Sequence, residues 1–99
     1  MTVILTEEAE ADLRGIVEHI ELDNPAAARA VYDEILECLR YLDQFPEMWP
    51  RVLPRSPIRK RSVSSYPYLI YYTVRQTNIV VLRVYDGRRR PLPFGDRTP

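Results

Sequence analysis

The chain has 99 residues, 45% of them hydrophobic, with 14 acidic and 14 basic residues. This length suits one domain with one modest core, and the composition excludes wholesale disorder. Residues 1–10 carry neither a basic patch nor a long apolar stretch, so we expect no signal peptide, no membrane contact and a cytoplasmic location. Cys38 is the only cysteine, which excludes an internal disulfide and fits a reducing compartment.

The zero net charge hides a strong separation of charge along the chain. Residues 1–50 hold 12 acidic and 3 basic residues, a balance of −9, whereas residues 51–99 hold 2 acidic and 11 basic residues, a balance of +9. This segregation predicts two electrostatic surfaces with different partners. The alternative is that the two halves fold together and their charges pair or face solvent.

The N-terminal half predicts a strand followed by two helices. Residues 2–5 form a short β-prone run, and Thr6 suits the N-cap of a helix over residues 7–22. The apolar residues of that helix recur on one face: Leu13, Ile16, Val17 and Ile20. Residues 24–44 form a second helical pattern that begins with Asn-Pro, a cap followed by a proline in the first turn. Because few residues join the helices, they are expected to pack as an antiparallel hairpin.

The C-terminal half predicts strands after an irregular connection. Four prolines between residues 45 and 57 favour a loop in which Trp49 packs on the edge of the core. Asn78 closes a hairpin loop and is able to adopt a left-handed conformation. The tail over residues 91–99 is expected to be extended or loose. Three strands are predicted, over residues 58–64, 68–75 and 79–85.

Alternation along the last two strands predicts which sheet face meets the helices. The helix side is assigned to Tyr68, Ile70, Tyr72, Val74, Val80, Leu82 and Val84. The opposite face is assigned to Leu69, Tyr71, Thr73, Arg75, Ile79, Val81, Arg83 and Tyr85. A domain with helices on one side only leaves that second face partly exposed, so it is predicted to be a partner surface.

Two basic clusters stand out. Three consecutive arginines at 88–90 follow an Asp86-Gly87 turn at the exit of the last strand, where they suit an anionic or acidic partner. A second cluster covers residues 59–61 on the first strand of the C-terminal half, where such charges also serve to block edge-to-edge aggregation. His19 has no ligand-spaced Cys or His neighbours, so no metal site is expected.

Four segments carry a resemblance to a known superfamily: TEEA at 6–9, DNPAAA at 23–28, YPYLIYY at 66–72 and LRVYDGRR at 82–89. In this order and spacing they resemble the ParE/RelE superfamily of toxin–antitoxin toxins over residues 2–90. The resemblance implies one toxin domain over residues 1–90 with an α+β fold. An N-terminal strand, an antiparallel two-helix hairpin and a three-stranded antiparallel meander would place the helices on one face of a small sheet.

The superfamily has two activities, and the residues favour one. RelE-like toxins cleave messenger RNA on the ribosome, whereas ParE-like toxins inhibit DNA gyrase by binding, and an antitoxin neutralises both. Of the positions that RelE-like toxins use for cleavage, one arginine position is matched by Arg89. A second arginine position is occupied here by Leu69, and the terminal tyrosine position lies near Phe94 or Gly95, so no tyrosine stands there. Neutral overall charge also disfavours a ribosome binder. The resemblance therefore implies a ParE-like gyrase inhibitor that is not an enzyme and needs no cofactor. A RelE-like ribonuclease and a non-toxic antitoxin-binding homologue are the alternatives.

The implied partners are DNA gyrase and a ParD-like antitoxin, with nucleic acid contacted only through gyrase-bound DNA. Target binding is assigned to Arg83, Asp86, Arg88, Arg89 and Arg90. Antitoxin binding is assigned to Arg59, Lys60, Arg61, Tyr71, Arg75, Val81 and Tyr85. Many ParE-like chains carry His where Asp86 stands, which would weaken toxicity here if that His contributes to it.

Overall fold

A computed structural model describes residues 1–89 and 92. Its elements are β1 (Thr2–Leu5), α1 (Glu7–Glu21), α2 (Pro25–Gln44), β2 (Ile58–Ser62), β3 (Tyr68–Val74) and β4 (Asn78–Asp86). This is the predicted α+β order, and every element ends within two residues of its predicted bounds. Arg90 and the predicted tail, Leu92 apart, lie outside the described residues. Within the described part, no helix is long and apolar enough to cross a membrane.

Both helices begin at the predicted caps. The Thr6 hydroxyl accepts a hydrogen bond from the Ala9 N–H at 3.1 Å, and the side-chain Oδ1 of Asn24 accepts one from the Ala27 N–H at 3.0 Å. Each cap satisfies one of the N–H groups that the first helical turn leaves unpaired, a contribution of about 1 kcal/mol. The sequence therefore determines both helix starts locally.

The sheet has the strand order β1-β4-β3-β2. β1 runs parallel to β4, and the other two pairs are antiparallel. β1 and β2 are therefore the edges. The outer side of β2 is partly covered, because the Lys60 N–H donates to the Pro50 carbonyl at 3.1 Å and the Val52 N–H donates to the Ile58 carbonyl at 2.9 Å. In the described part of the chain, no backbone hydrogen bond reaches the outer side of β1.

A bulge in β4 decides which residues enter the core. Tyr71 pairs with Arg83 but Tyr72 pairs with Val81, so Leu82 is an extra residue on β4. The helix-facing core consequently takes Ile79 and Val81 before the bulge and Val84 after it. The prediction that put Val80 and Leu82 on the helix side, and Ile79 and Val81 on the opposite face, is wrong. One inserted residue inverts the alternation on one side of it.

The opposite face of β3 is less exposed than predicted. Tyr71 is 1% exposed and Thr73 is 7% exposed. The Thr73 hydroxyl donates to the Pro57 carbonyl at 2.9 Å. Tyr71 lies on a central strand, where its register partners are Lys60 of β2 and Arg83 of β4. The aromatic face that was predicted to be exposed is therefore buried within this chain at Tyr71 and Thr73.

The bulge is held by side chains of α1. Asp12 accepts hydrogen bonds from Arg83 Nε at 2.6 Å, from Arg83 Nη2 at 2.8 Å and from the Val84 N–H at 3.0 Å. The Thr6 hydroxyl donates to the Leu82 carbonyl at 3.0 Å. β1 ends at Leu5, so β4 beyond that point has no neighbouring strand on this side. The helix supplies the missing partners instead.

The proline-rich connection is held against the sheet by β2 and β3. Arg59 Nη1 donates to the Trp49 carbonyl at 2.6 Å and to the Glu47 carbonyl at 3.2 Å. Arg61 places its guanidinium 4.7 Å from the centre of the Trp49 ring, a cation–π contact. The Tyr72 hydroxyl donates to the Pro46 carbonyl at 2.9 Å. Trp49 packs against the core cluster, as predicted.

Replacing Asp12 with alanine is expected to lower the free energy of unfolding by about 2–4 kcal/mol. The change leaves the Arg83 guanidinium and the Val84 N–H without their carboxylate. Urea unfolding of the variant, beside the exposed Glu18→Ala on the same helix, measures this. Equal stability of the two variants would show that the carboxylate does not hold the bulge.

Replacing Arg59 with leucine is expected to cost about 1.5–3 kcal/mol, because two carbonyls of the connection lose a charged donor. The exposed Arg55→Ala in the same connection should change the free energy of unfolding by less than about 0.5 kcal/mol. Urea unfolding compares the two. If Arg59→Leu lowers the free energy of unfolding no more than Arg55→Ala does, Arg59 does not hold the connection against the sheet.

Candidate functional site

A polar groove lies between α1 and the C-terminal end of β4, with a volume of about 540 Å³. We call it the α1–β4 groove. It is lined by Ala11, Asp12, Gly15, Ile16, His19, Tyr68, Arg83, Val84, Tyr85, Asp86, Arg88 and Arg89. Four of the five predicted target-binding residues therefore meet in one place, and the fifth, Arg90, lies outside the described residues.

Two arginines of this groove are already paired within the chain. Arg83 is held by Asp12, and that hydrogen bond, the largest of several causes, raises the pKa of Arg83. Arg88 donates to Asp86 through Nε at 3.0 Å, Nη2 at 2.8 Å and its backbone N–H at 2.9 Å. The Arg88 hydrogen bonds lower the pKa of Asp86 to about 2, so this carboxylate is ionised near neutral pH. The guanidinium groups of Arg83 and Arg88 are therefore both engaged by carboxylates of the same chain.

Arg89 differs from its neighbours. Its backbone N–H donates to the Asp86 carbonyl at 3.0 Å, which turns the chain after β4. Its side chain is exposed and makes no hydrogen bond or ion pair with any described residue. Of the described arginines in the groove, Arg89 is the one whose guanidinium is available to another molecule.

Gly87 lets the turn after β4 meet the segment that leads into β3. Its N–H donates to the Pro67 carbonyl at 2.6 Å. A Cβ at position 87 would lie 3.1 Å from that oxygen and 3.2 Å from the Leu69 side chain, tighter than ordinary contact. Glycine therefore allows the turn that carries Arg88 and Arg89 to approach the start of β3.

The sequence reasoning missed Asp12 and Gly15. Asp12 occupies a core-facing spacing with its apolar neighbours, at i+3 in the series Ala9, Asp12, Leu13 and Ile16. An acidic residue at a core-facing position indicates that its carboxylate has a partner inside the fold, and this was the signal that the sequence offered. Gly15 gave no signal, and its role is visible only in space: a Cβ there would meet nothing within 4 Å, so the residue opens the groove.

The predicted antitoxin-binding residues do not form one exposed patch. Arg59 and Arg61 lie opposite Tyr72 and Ile70, on the helix side of the sheet, and hold the proline-rich connection. Val81 is fully buried in the core, which together with buried Tyr71 removes the apolar centre of the expected surface. The three others lie at separate places: Lys60 on β2, Arg75 after β3 and Tyr85 in the α1–β4 groove.

An apolar strip runs along the other flank of α1. Two adjoining cavities of about 540 and 470 Å³ share Leu5, Leu36 and Leu39. We call them together the β1 groove. The remaining residues that line it are Met1, Val3, Glu10, Leu13, Arg14, Val17, Glu18, Tyr32, Arg40, Asp43 and Gln44. It lies beside the sheet edge whose outer side has no described backbone partner.

Metal and thiol chemistry find no support in the described residues. No group of three or more His, Cys, Asp or Glu side chains among them could hold a metal ion. Cys38 is buried in the core on α2, and burial raises the pKa of its thiol. It is a packed side chain of the core.

Comparisons with known proteins agree with the fold and the motifs. The model of the family described as "ParE toxin of type II toxin-antitoxin system, parDE" matches residues 3–91. A solved structure titled "Chromosomal ParDE TA system from P. aeruginosa" has the same fold, with a TM-score of 0.77 and 24% identity, covering 87% of this chain and 95% of that one. A search of curated protein sequences gave no match. The family match spans nearly the whole chain, and the chain therefore belongs to the ParE toxin family of type II toxin–antitoxin systems.

Proposed function

We propose that this toxin inhibits DNA gyrase by binding to it, without catalysis or cofactor, and that a cognate ParD-like antitoxin neutralises it. Family membership supports the toxin role. The observation that carries the target-binding part is Arg89 in the α1–β4 groove, whose exposed side chain has no ion-pair partner among the residues that the structure describes. The proposal places the activity in the cytoplasm.

The predicted target-binding residues divide into two roles under this proposal. Arg89 contacts the partner, because its planar guanidinium can donate two parallel hydrogen bonds to a carboxylate. Arg83, Asp86 and Arg88 shape the surface around it, since their charges are already satisfied by ion pairs. Asp86 therefore has a role other than contact: it orients the turn that presents Arg89.

The ribonuclease alternative lacks support from the phenols near the site. RNA cleavage without metal needs groups that can move protons at the reacting phosphate. Tyr71 is buried, and burial raises the pKa of Tyr68. Leu69, where a RelE-like toxin has arginine, packs beneath Gly87. Tyr85 and His19 line the groove, which keeps messenger cleavage as the second assay to perform.

We place the antitoxin on the β1 groove. Its shared leucines and the neighbouring Tyr32 offer an apolar track long enough for a peptide segment, beside an edge strand that can accept another strand. This replaces the sheet face predicted from sequence, where Tyr71 and Val81 are buried. Lys60 and Arg75 remain candidates for additional contacts to an acidic antitoxin segment.

The first functional prediction concerns Arg89. Purified gyrase with ATP and relaxed plasmid should be inhibited by the wild-type chain, with linear DNA accumulating. Arg89→Ala should weaken inhibition by at least about tenfold, because it removes the available cation of the site. Arg55→Ala, an equal loss of exposed charge in the 45–57 connection, serves as the matched control.

The outcomes of this assay separate the hypotheses. If gyrase keeps its full activity at excess wild-type toxin, the gyrase proposal is wrong. Messenger cleavage in a translating extract then tests the ribonuclease alternative. A chain inactive in both assays and harmless on expression is an antitoxin-binding homologue. Equal inhibition by Arg89→Ala and the wild type removes Arg89 from the contact surface.

The second functional prediction concerns the β1 groove. Tyr32→Ala should weaken cognate antitoxin binding by at least about tenfold, since aromatic anchors dominate interface energies. Tyr41→Ala, on the same helix and 45% exposed but outside the groove, should bind normally. Isothermal titration calorimetry measures both. Similar affinities for the two variants would place the antitoxin elsewhere.

A further inference from the structure

We propose that the α1–β4 groove receives an acidic peptide segment of the target protein, and that its carboxylate pairs with Arg89. This inference rests on the proposed gyrase function and adds two things to it. It makes α1, through Gly15, part of the target surface. It also assigns the groove to a protein ligand and not to the phosphate backbone of DNA.

The shape of the groove suits a short peptide. Gly15 on α1 leaves open space where a side chain would stand, with no other atom within 4 Å of its Cβ position. Apolar and aromatic groups from Ile16, Tyr68 and Tyr85 line the same cavity. A volume of about 540 Å³ accommodates a few side chains, and the mixed lining matches an amphipathic segment.

The charges of the groove favour one carboxylate over many phosphates. Asp12 and Asp86 neutralise Arg83 and Arg88, so the described lining carries one positive charge in excess, that of Arg89. DNA affinity comes from several cations that each replace counterions at a phosphate. Along the described lining, a polyanion would meet one cation without an ion-pair partner and two carboxylates, whereas a single Asp or Glu would meet its complement.

The experiment uses the full chain and the gyrase A and B subunits, purified separately and without DNA. Biolayer interferometry measures binding to each subunit over a salt series, and the supercoiling assay runs in parallel. Two pairs of variants test the groove. Gly15→Trp fills it while Ala30→Trp adds the same side chain to an exposed position on α2 outside the grooves. Arg89→Glu reverses the charge of the groove while Arg55→Glu makes the same charge change on the 45–57 connection.

The expected result is DNA-independent binding of the wild type to one subunit with a shallow salt dependence. Gly15→Trp and Arg89→Glu should each lose at least about tenfold in affinity, whereas Ala30→Trp and Arg55→Glu should stay within about twofold. Gly15 is exposed on the helix surface, so the tryptophan should not disturb folding. Circular dichroism checks this, and Arg89→Glu carries the test if Gly15→Trp unfolds.

Other outcomes overturn the inference. Binding that requires DNA and falls steeply with salt assigns the groove to phosphates. Normal binding by folded Gly15→Trp, or equal losses in Arg89→Glu and Arg55→Glu, shows that the target docks elsewhere while gyrase inhibition itself stands. A wild-type chain that neither binds nor inhibits gyrase refutes the proposed function, and the inference with it.

Discussion

The carboxylate of Asp12 is the contact on which the arrangement of this domain depends. It joins α1 to β4 where β1 has ended, by accepting hydrogen bonds from the Arg83 guanidinium and the Val84 N–H. That contact lies beside the bulge at Leu82, and the bulge turns Val81 and Val84 toward the same side of the sheet. A regular strand would send one of them to the opposite face. One ion pair thus lies beside both the core and the α1–β4 groove.

The strong charge separation along the chain becomes a different pattern in space. The acidic and basic halves meet through the Asp12–Arg83 ion pair, and through Arg59, which donates to the backbone carbonyls of Glu47 and Trp49. Arg61 lies over an aromatic ring, and Arg88 is held by Asp86. Much of the apparent basic surface therefore serves structure. Among the arginines of the groove that the structure describes, Arg89 alone lacks an ion-pair partner, and one such charge suits selective contact with a protein better than broad attraction to a polyanion.

The two grooves lie on opposite flanks of one helix. Gly15, Ile16 and His19 of α1 line the α1–β4 groove, while Leu13, Val17 and Glu18 line the β1 groove. Under the proposed function, the antitoxin and the target would each contact α1 from its own side. Neutralisation would then depend on the antitoxin's bulk reaching around the helix, or on its own acidic residues reaching Arg89. Under these two proposals, α1 is the element that both partners contact.

The sequence by itself determined the elements and the family. Thr6 and Asn24-Pro25 set both helix starts through local hydrogen bonds, and helical spacing identified the side of α1 that packs against the core. It also brought Arg83, Asp86, Arg88 and Arg89 into one candidate site, because they are close in the chain. Only the tertiary structure decided their roles. The partner of Arg83 is 71 residues away, the parallel β1–β4 pair comes from distant segments, and the bulge has no local sequence signature. Alternation and charge counts describe only neighbours along the chain. The burial of Val81, the partners of Arg59 and Arg83, and the exposure of Arg89 depend instead on which distant groups pack against these residues.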